Sequence, residues 1–295
     1  MRSLLFVPGD SERKLEKGFS SEADVVIVDL EDSVSAQNKA AARATAADFL
    51  RARLGRDGPA VYVRVNDLST GLTDDDLAAL VPAMPAGIML PKSNGGADVQ
   101  RLAVKLRVHE AENGLPDGSI AILPIITETA AGVLAAASYA GASPRLAGLT
   151  WGAEDLSAAI GARATRDERG VYTDVFRLAR TMTLLAAAAA EVAAIDTVFP
   201  NFRDMEGFRR ECEEAERDGF TGKMAIHPAQ VPVINEAFTP SPEAVAHAKA
   251  VVEAFHEAGN PGVVALEGQM YDRPHLRRAE RLLARAKSAG ILART

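Results

Sequence analysis

The feature that most constrains this chain is a rhythm of short apolar runs. They fall at residues 4–7, 25–28, 61–65, 88–90, 120–126, 146–150, 194–199 and 224–226. Segments between them, at 11–19, 38–54, 97–113, 129–139 and 172–192, are rich in Ala, Leu, Arg, Glu and Lys. Those residues form helices readily, and their apolar members are spaced for one buried face. Strands alternating with helices imply right-handed βαβ units and a parallel sheet. Eight such units predict an α/β fold of the closed (β/α)8 TIM-barrel type. A dinucleotide-binding open sheet is disfavoured, because no G-x-G-x-x-G follows the first run.

A parallel barrel gathers its chemistry at the carboxyl ends of its strands. Here those ends read Pro8-Gly9-Asp10, Asp29-Leu30-Glu31-Asp32, Arg64-Val65-Asn66-Asp67, Pro91-Lys92, Thr127-Glu128-Thr129, Trp151-Gly152-Ala153-Glu154-Asp155, Pro200-Asn201 and His227-Pro228. Scattered in the chain, they converge in space if the barrel forms. The barrel is assigned to 1–238. After it, Thr239-Pro240-Ser241-Pro242 marks a break, followed by a helix over 243–258, a turn at 259–262, an extended stretch over 263–271 and a last helix from Pro274 through 287. Residues 239–295 read as too small to build a core alone. They are expected to pack on the barrel, or on a neighbouring subunit, as a lid.

Composition narrows the function. Lys and Arg number 33 against 40 Asp and Glu, a net charge of −7, which argues against a nucleic-acid binder but leaves room for a local basic pocket. The single cysteine, Cys212, excludes an intrachain disulfide and any zinc site of several thiolates; it reads as an incidental thiol. No stretch approaches the roughly 18 apolar residues of a membrane span. The apolar run behind Met1 is too short for a signal-peptide core. The expectation is a cytoplasmic protein, or one of an organelle matrix if a transit peptide was removed, that binds no membrane.

Glu128 and Asp155 end adjacent runs, and two carboxylates there suit a hard cation such as Mg2+, which keeps positions for water and a chelating substrate. Alternatively, Glu128 favours the dipole of the following helix and Asp155 caps the next one. Strand alternation puts Tyr62, Arg64 and Asn66 on one face. An arginine in a barrel mouth suits a substrate carboxylate or oxyanion, or a structural pair with Asp29, Glu31 or Asp32. Lys92 is either an ion-paired lysine or, in a rival mechanism, a Schiff-base former. Arg13, Lys14 and Lys17 either hold phosphates or line an exposed helix face. No G-x-x-x-x-G-K-[ST] and no G-x-S-x-G is present, and the five histidines form no H-E-x-x-H.

Several of these segments are familiar as a set. Phe6-Val7-Pro8-Gly9-Asp10-Ser11-Glu12-Arg13, Asp29-Leu30-Glu31-Asp32-Ser33-Val34, Arg64-Val65-Asn66 and Leu90-Pro91-Lys92 come in order, followed by Glu128-Thr129-Ala130, Gly152-Ala153-Glu154-Asp155-Leu156, Ala194-Ile195-Asp196 and Gly222-Lys223-Met224-Ala225-Ile226-His227-Pro228. From about residue 3 to 289 the chain closely resembles the citrate lyase β-subunit-like branch of the HpcH/HpaI aldolases, which includes malyl-CoA and citramalyl-CoA lyases.

The resemblance implies a Mg2+-dependent barrel, with Mn2+ as a substitute, that makes or breaks a carbon–carbon bond between an acyl-CoA thioester and a 2-oxo acid. By motif match Glu128 and Asp155 are the metal ligands, and Arg64 binds the oxo-acid end. The backbone of Ala153, Glu154 and Asp155 holds the substrate carboxylate. Arg13, Lys14, Ile226, His227 and Pro228 contact CoA. From the residues themselves, apart from the resemblance, Asp29 reads as standing behind these groups, with the less readily placed Glu31 and Asp32 and the ion-paired Lys92 in the same supporting layer. In the CoA lyases a lid aspartate from the next subunit completes the site; Asp272 is the candidate here, or else a polar residue ahead of the Pro274 helix. A homo-oligomer, trimer or hexamer, follows by analogy. Tyr271 and Trp151 depart from the usual residues and are expected to affect acyl fit. A malyl-CoA thioesterase or malate-synthase-like variant, a citrate lyase β subunit acting on an acyl-carrier protein, and a silent scaffold stand as alternatives.

Overall fold

The computed structural model describes residues 1–292. Eight parallel strands form one sheet: β1 (Ser3–Pro8), β2 (Val25–Asp29), β3 (Ala60–Arg64), β4 (Gly87–Leu90), β5 (Ala121–Pro124), β6 (Gly148–Thr150), β7 (Ala193–Asp196) and β8 (Gly222–Ala225). Their hydrogen-bonded order is β5-β4-β3-β2-β1-β8-β7-β6. The two ends meet through parallel bridges at Ile122–Leu146 and Ile125–Thr150, where the Ile126 N–H donates to the Thr150 carbonyl at 2.9 Å. The sheet is thereby nearly closed into a barrel, and β5 and β6, whose carboxyl ends lead into Glu128 and Asp155, are neighbours.

Alternation decides what each strand faces. Leu4, Ile27, Tyr62, Leu123, Ile195 and Met224 pack together inside the barrel. Val26, Val63 and Ala225 point the other way and are also buried. Both faces are covered, which is why the strands read as continuous apolar runs. The helices of this unit are α1 (Glu12–Phe19), α2 (Lys39–Arg51), α3 (Thr73–Leu80), α4 (Gly96–Glu112), α5 (Ala130–Leu134), α6 (Ala153–Ile160), α7 (Asp174–Ala189), α8 (Met205–Asp218) and α9 (Gln230–Phe238). Helix α1 lies close on β1 because Gly18 has no side chain; a Cβ there would sit 2.7 Å from Val7 Cγ2.

The helix expected over 129–139 is split. After α5 the chain tightens into a 3-10 turn at Ala136–Tyr139, which leaves the Tyr139 hydroxyl donating to Ser93 Oγ at 2.8 Å. Cys212 is fully buried in α8, and burial pushes its thiol up to about 12, so it is chemically quiet.

The chain divides into two compact units, Met1–Asn235 and the part from Glu236 onward. The second contains α10 (Pro242–Glu257), a hairpin of β9 (Val263–Leu266) and β10 (Gln269–Asp272), and α11 (Arg273–Ser288). The stretch expected to be simply extended turns back at Glu267 and Gly268, whose φ angles of 51° and 77° suit a tight hairpin turn. The expectation that this tail has no core of its own is corrected. Val251, Phe255, Val264 and Leu276 pack into an apolar cluster, because the hairpin folds back over the faces of α10 and α11. Among the described residues no helix is long and apolar enough to cross a membrane.

Candidate active site

The registry of β2 against β3 places Asp29 beside Arg64. Arg64 Nε and Nη2 donate to the two Asp29 carboxylate oxygens, both at 2.7 Å. Asp29 also accepts the backbone N–H groups of Glu31 at 3.0 Å and Ser33 at 3.2 Å. Burial alone would raise its carboxyl; the Arg64 guanidinium and these donors hold it below the usual range instead. Arg64 Nη1 lies 3.0 Å from Glu31 Oε2, and the guanidinium stands over the Phe6 ring. The structural pair and the aimed arginine are therefore the same arrangement: Asp29 takes one edge of the fork and fixes the other.

Glu128 follows β5 and is only 3 % exposed. Its Oε2 accepts the backbone N–H of Lys92 at 2.5 Å. Burial pushes its carboxyl up to about 8, and the charges of Asp155 and Glu31 add to the shift. The N-cap of α5 is Thr129, whose hydroxyl accepts from Gly132 N at 3.0 Å, so Glu128 lies just ahead of that helix.

Asp155 sits in the first turn of α6, whose N-cap is Gly152. A Cβ on Gly152 would come within 2.9 Å of Glu128 Cγ, so the missing side chain lets the start of α6 lie against Glu128. The α6 N-terminus brings the backbone of Ala153, Glu154 and Asp155 to the same mouth, with no side chain capping it. The Glu154 side chain itself is exposed.

Lys92 ties these groups together. Its ammonium pairs with Glu31 and lies 3.4 Å from Asp32 and 3.5 Å from Asp155. Burial opposes the charge, but the surrounding carboxylates raise its pKa well above the ordinary lysine value. A lysine held protonated in this way is a poor amine nucleophile, which favours the ion-paired reading over Schiff-base chemistry.

The donor set fits a hard divalent cation. Two carboxylates, one of them deeply buried and repelled by its acidic neighbours, face one mouth, and oxygen is the ligand such ions select. Among the described residues no group of three or more His, Cys, Asp or Glu forms a metal cage. A cation held by Glu128 and Asp155 alone keeps coordination positions for water or substrate.

A cavity of about 530 Å3 opens between β1, α1 and the turn after β8. Arg13, Lys14 and Lys17 from α1 line it together with Ile226, His227 and Pro228. The three cations sit on the exposed face of α1 because Leu15 and Gly18 occupy the buried one. All five residues expected to contact CoA thus border one space. The Phe202 ring, which no motif in the sequence singles out, stacks on His227 at 5.3 Å and 14°.

Asp272 belongs to the second unit. Its carboxylate caps α11, accepting from His275 N at 3.4 Å, and pairs with the His275 ring, which holds it below the usual range. Trp151 departs from its expected role in acyl fit. Its side chain is fully buried and donates from Nε1 to Asp196 Oδ1 at 2.7 Å. Asp196 follows the inward-facing Ile195 and pairs with Lys223, next to the inward-facing Met224, so the indole lies in the layer between sheet and helices.

Barrel, paired carboxylates and fixed arginine define a class, and comparison with known proteins gives the same one. The chain belongs to the HpcH/HpaI aldolase/citrate lyase family, whose match spans residues 2–228. It is 35 % identical to a (3S)-malyl-CoA thioesterase of Cereibacter sphaeroides, over 97 % of this chain and 95 % of that one. It is 33 % identical to the mitochondrial citramalyl-CoA lyase of Rattus norvegicus, over 97 % of this chain and 86 % of that one. Among solved structures it is similar to protein CitE from Mycobacterium tuberculosis in complex with magnesium, acetoacetate and coenzyme A, with TM-score 0.77 and 37 % identity, over 97 % and 98 % of the two chains.

Proposed function

We propose that this chain is a Mg2+-dependent carbon–carbon lyase that cleaves or forms a 3-hydroxyacyl-CoA, such as malyl-CoA or citramalyl-CoA, with acyl-CoA and a 2-oxo acid as the other side of the reaction. The observation that carries the reading is the meeting of Glu128, Asp155 and the Asp29-held Arg64 at one barrel mouth, linked by Lys92. Glu128 and Asp155 would hold Mg2+, or Mn2+ in its place. The cation supplies positive charge for a chelated substrate carboxylate and its neighbouring oxygen.

The chain's own groups do the rest. Arg64, fixed along one edge by Asp29, offers its remaining N–H donors to the oxo-acid oxygen, which carries negative charge once the 3-hydroxyl loses its proton ahead of cleavage and gains it again when the carbon–carbon bond forms in condensation. The free amides at the start of α6, from Ala153 to Asp155, are suited to the substrate carboxylate. Arg13 and Lys14 would meet the phosphates of CoA, with Ile226, His227 and Pro228 lining the same cavity. In the condensing direction, Asp272 of a neighbouring copy would take a proton from the acyl-CoA methyl group. A trimer or hexamer accommodates that arrangement.

The test is a coupled assay of the purified chain on malyl-CoA, citramalyl-CoA and citryl-CoA, with and without EDTA, following 2-oxo acid and free CoA. EDTA-sensitive release of oxo acid is the expected result. Release of CoA without oxo acid would instead make the chain a thioesterase, the activity named for the Cereibacter relative. Silence on all three with activity on an acyl-carrier-protein ester would make it a citrate lyase β subunit. Glu128→Gln and Asp155→Asn are expected to weaken Mn2+ binding by more than the roughly 10–100-fold typical of an outer-shell change; an unchanged titration would remove them from the metal site.

A further inference from the structure

Lys92 is the residue whose geometry the reaction scheme leaves unexplained. Its φ of 50° is in the left-handed region, which a side-chain-bearing residue rarely adopts. Such conformations persist where the surroundings over-determine them. Here the next residues are pinned on both sides. The Tyr139 hydroxyl donates to Ser93 Oγ at 2.8 Å, the Thr129 hydroxyl to Asn94 Oδ1 at 2.5 Å, and Gly96 N to Ser138 Oγ at 2.8 Å. All three partners lie on the segment that follows Glu128, so the β4–α4 loop and the Glu128 loop are locked together.

The left-handed turn lets one residue do two things. Its N–H reaches Glu128 Oε2 at 2.5 Å, while its side chain crosses the mouth to Glu31 and stands 3.5 Å from Asp155. Lys92 therefore touches both carboxylates assigned to the cation. Arg64 also bears on Glu31 and Glu128, but it is committed along one edge to Asp29.

We propose that Lys92 is a resident counter-cation of the metal site: its ammonium holds Glu31 and Asp155 together before a divalent ion arrives, and competes with that ion for Asp155. The inference rests on the reading of Glu128 and Asp155 as the metal-holding pair. It makes Lys92 a positioning residue whose charge keeps divalent-ion binding weaker than the bare carboxylates would give. A purely structural lysine predicts the opposite, since losing a support loosens a site.

The experiment is a Mn2+ titration followed by electron paramagnetic resonance on the full chain and on Lys92→Met and Lys92→Arg. Removing one unit charge beside a divalent ion should tighten Mn2+ binding about tenfold in Lys92→Met. Lys92→Arg, which keeps the charge, should bind close to the parent value. The same Lys92→Met chain should turn over more slowly, because Glu31 beside Arg64 loses its partner. Mn2+ affinity in folded Lys92→Met equal to or weaker than the parent's overturns the proposal. Absence of Mn2+ binding by the parent chain is a different failure: it removes the metal reading, and this inference with it. Should Lys92→Met not fold, the parent chain supplies the answer. Mn2+ is expected to speed acetylation of Lys92, read by mass spectrometry, as the ammonium is released from Asp155; an unchanged rate overturns the proposal equally.

Discussion

Arg64 and Asp29 are joined edge to edge by two hydrogen bonds of 2.7 Å across neighbouring strand ends. Asp29 is 2 % exposed, so the pair is nearly dry. Removing one partner of a buried pair strands the other charge and costs about 3–5 kcal/mol. Asp29→Asn is expected to lose stability on that order in urea denaturation. Arg64→Lys keeps a charge but cannot repeat the fork. It should lower kcat by roughly 10²–10³, the scale of losing one fixed donor at a developing oxyanion, and leave Mn2+ affinity close to the parent's. Parent-like turnover would remove Arg64 from the chemistry.

The cavity beside α1 gives a prediction with a different signature. Arg13→Ala and Lys14→Ala should each raise KM for a CoA ester about fivefold, corresponding to about 1 kcal/mol for a solvated charge pair. Turnover at saturation should hold, and the difference from the parent should shrink as salt rises. Steady-state kinetics at two ionic strengths check this. A fall in kcat with constant KM would place these residues elsewhere in the cycle.

Asp272 caps α11 in a reciprocal arrangement with His275. Asparagine caps about as well as aspartate. Asp272→Asn should therefore keep the helix, shown by an unchanged melting curve, and keep Mn2+ affinity, while turnover collapses because the amide cannot take a proton. Retained turnover would assign Asp272 to capping alone.

Far from the mouth, Glu110 at the end of α4 accepts from Arg145 Nη1 at 2.7 Å and pairs with its Nη2 at 2.5 Å. Burial favours the neutral acid, but Arg145 and the N–H groups of Gly118 and Ile120 lower its carboxyl to about 2. A carboxyl lowered on folding stabilises the protein above its unfolded pKa near 4.5, and that stability is lost as pH falls toward about 2. Glu110→Gln should be less stable than the parent at pH 7, and the gap should narrow over that acid window. Melting curves from pH 7 to 2.5 test it; a constant gap would mean the pair's charge is immaterial.

How much of the molecule is legible in its sequence follows from what is local. Runs such as 25–28 and 61–65 report their burial on both faces directly, so eight strands can be counted from the apolar rhythm alone. Residues that end those runs stand out for the same reason, since the parallel architecture sends every strand end to one side. The exposed face of α1 follows from Leu15 and Gly18 alternating with Arg13, Lys14 and Lys17. The family motifs supply roles that spacing cannot.

Other features needed the folded chain. Lys92 reads in the sequence as one more lysine after a proline, because φ at a single position and the partner of a backbone N–H are set by loops 36 residues apart. The indole of Trp151 turns away from the mouth because alternation past the strand end, and a buried Asp196 on the next strand, decide its direction. The tail gathers its own apolar cluster once Glu267 and Gly268 bend an extended stretch into a hairpin. Periodicity and strand ends are properties of neighbours along the chain, and the sequence by itself determined the barrel and which residues would face its mouth. Which of those residues touch, which carboxylate is buried and which cation holds it arise from contacts between distant segments, and only the tertiary structure decided them.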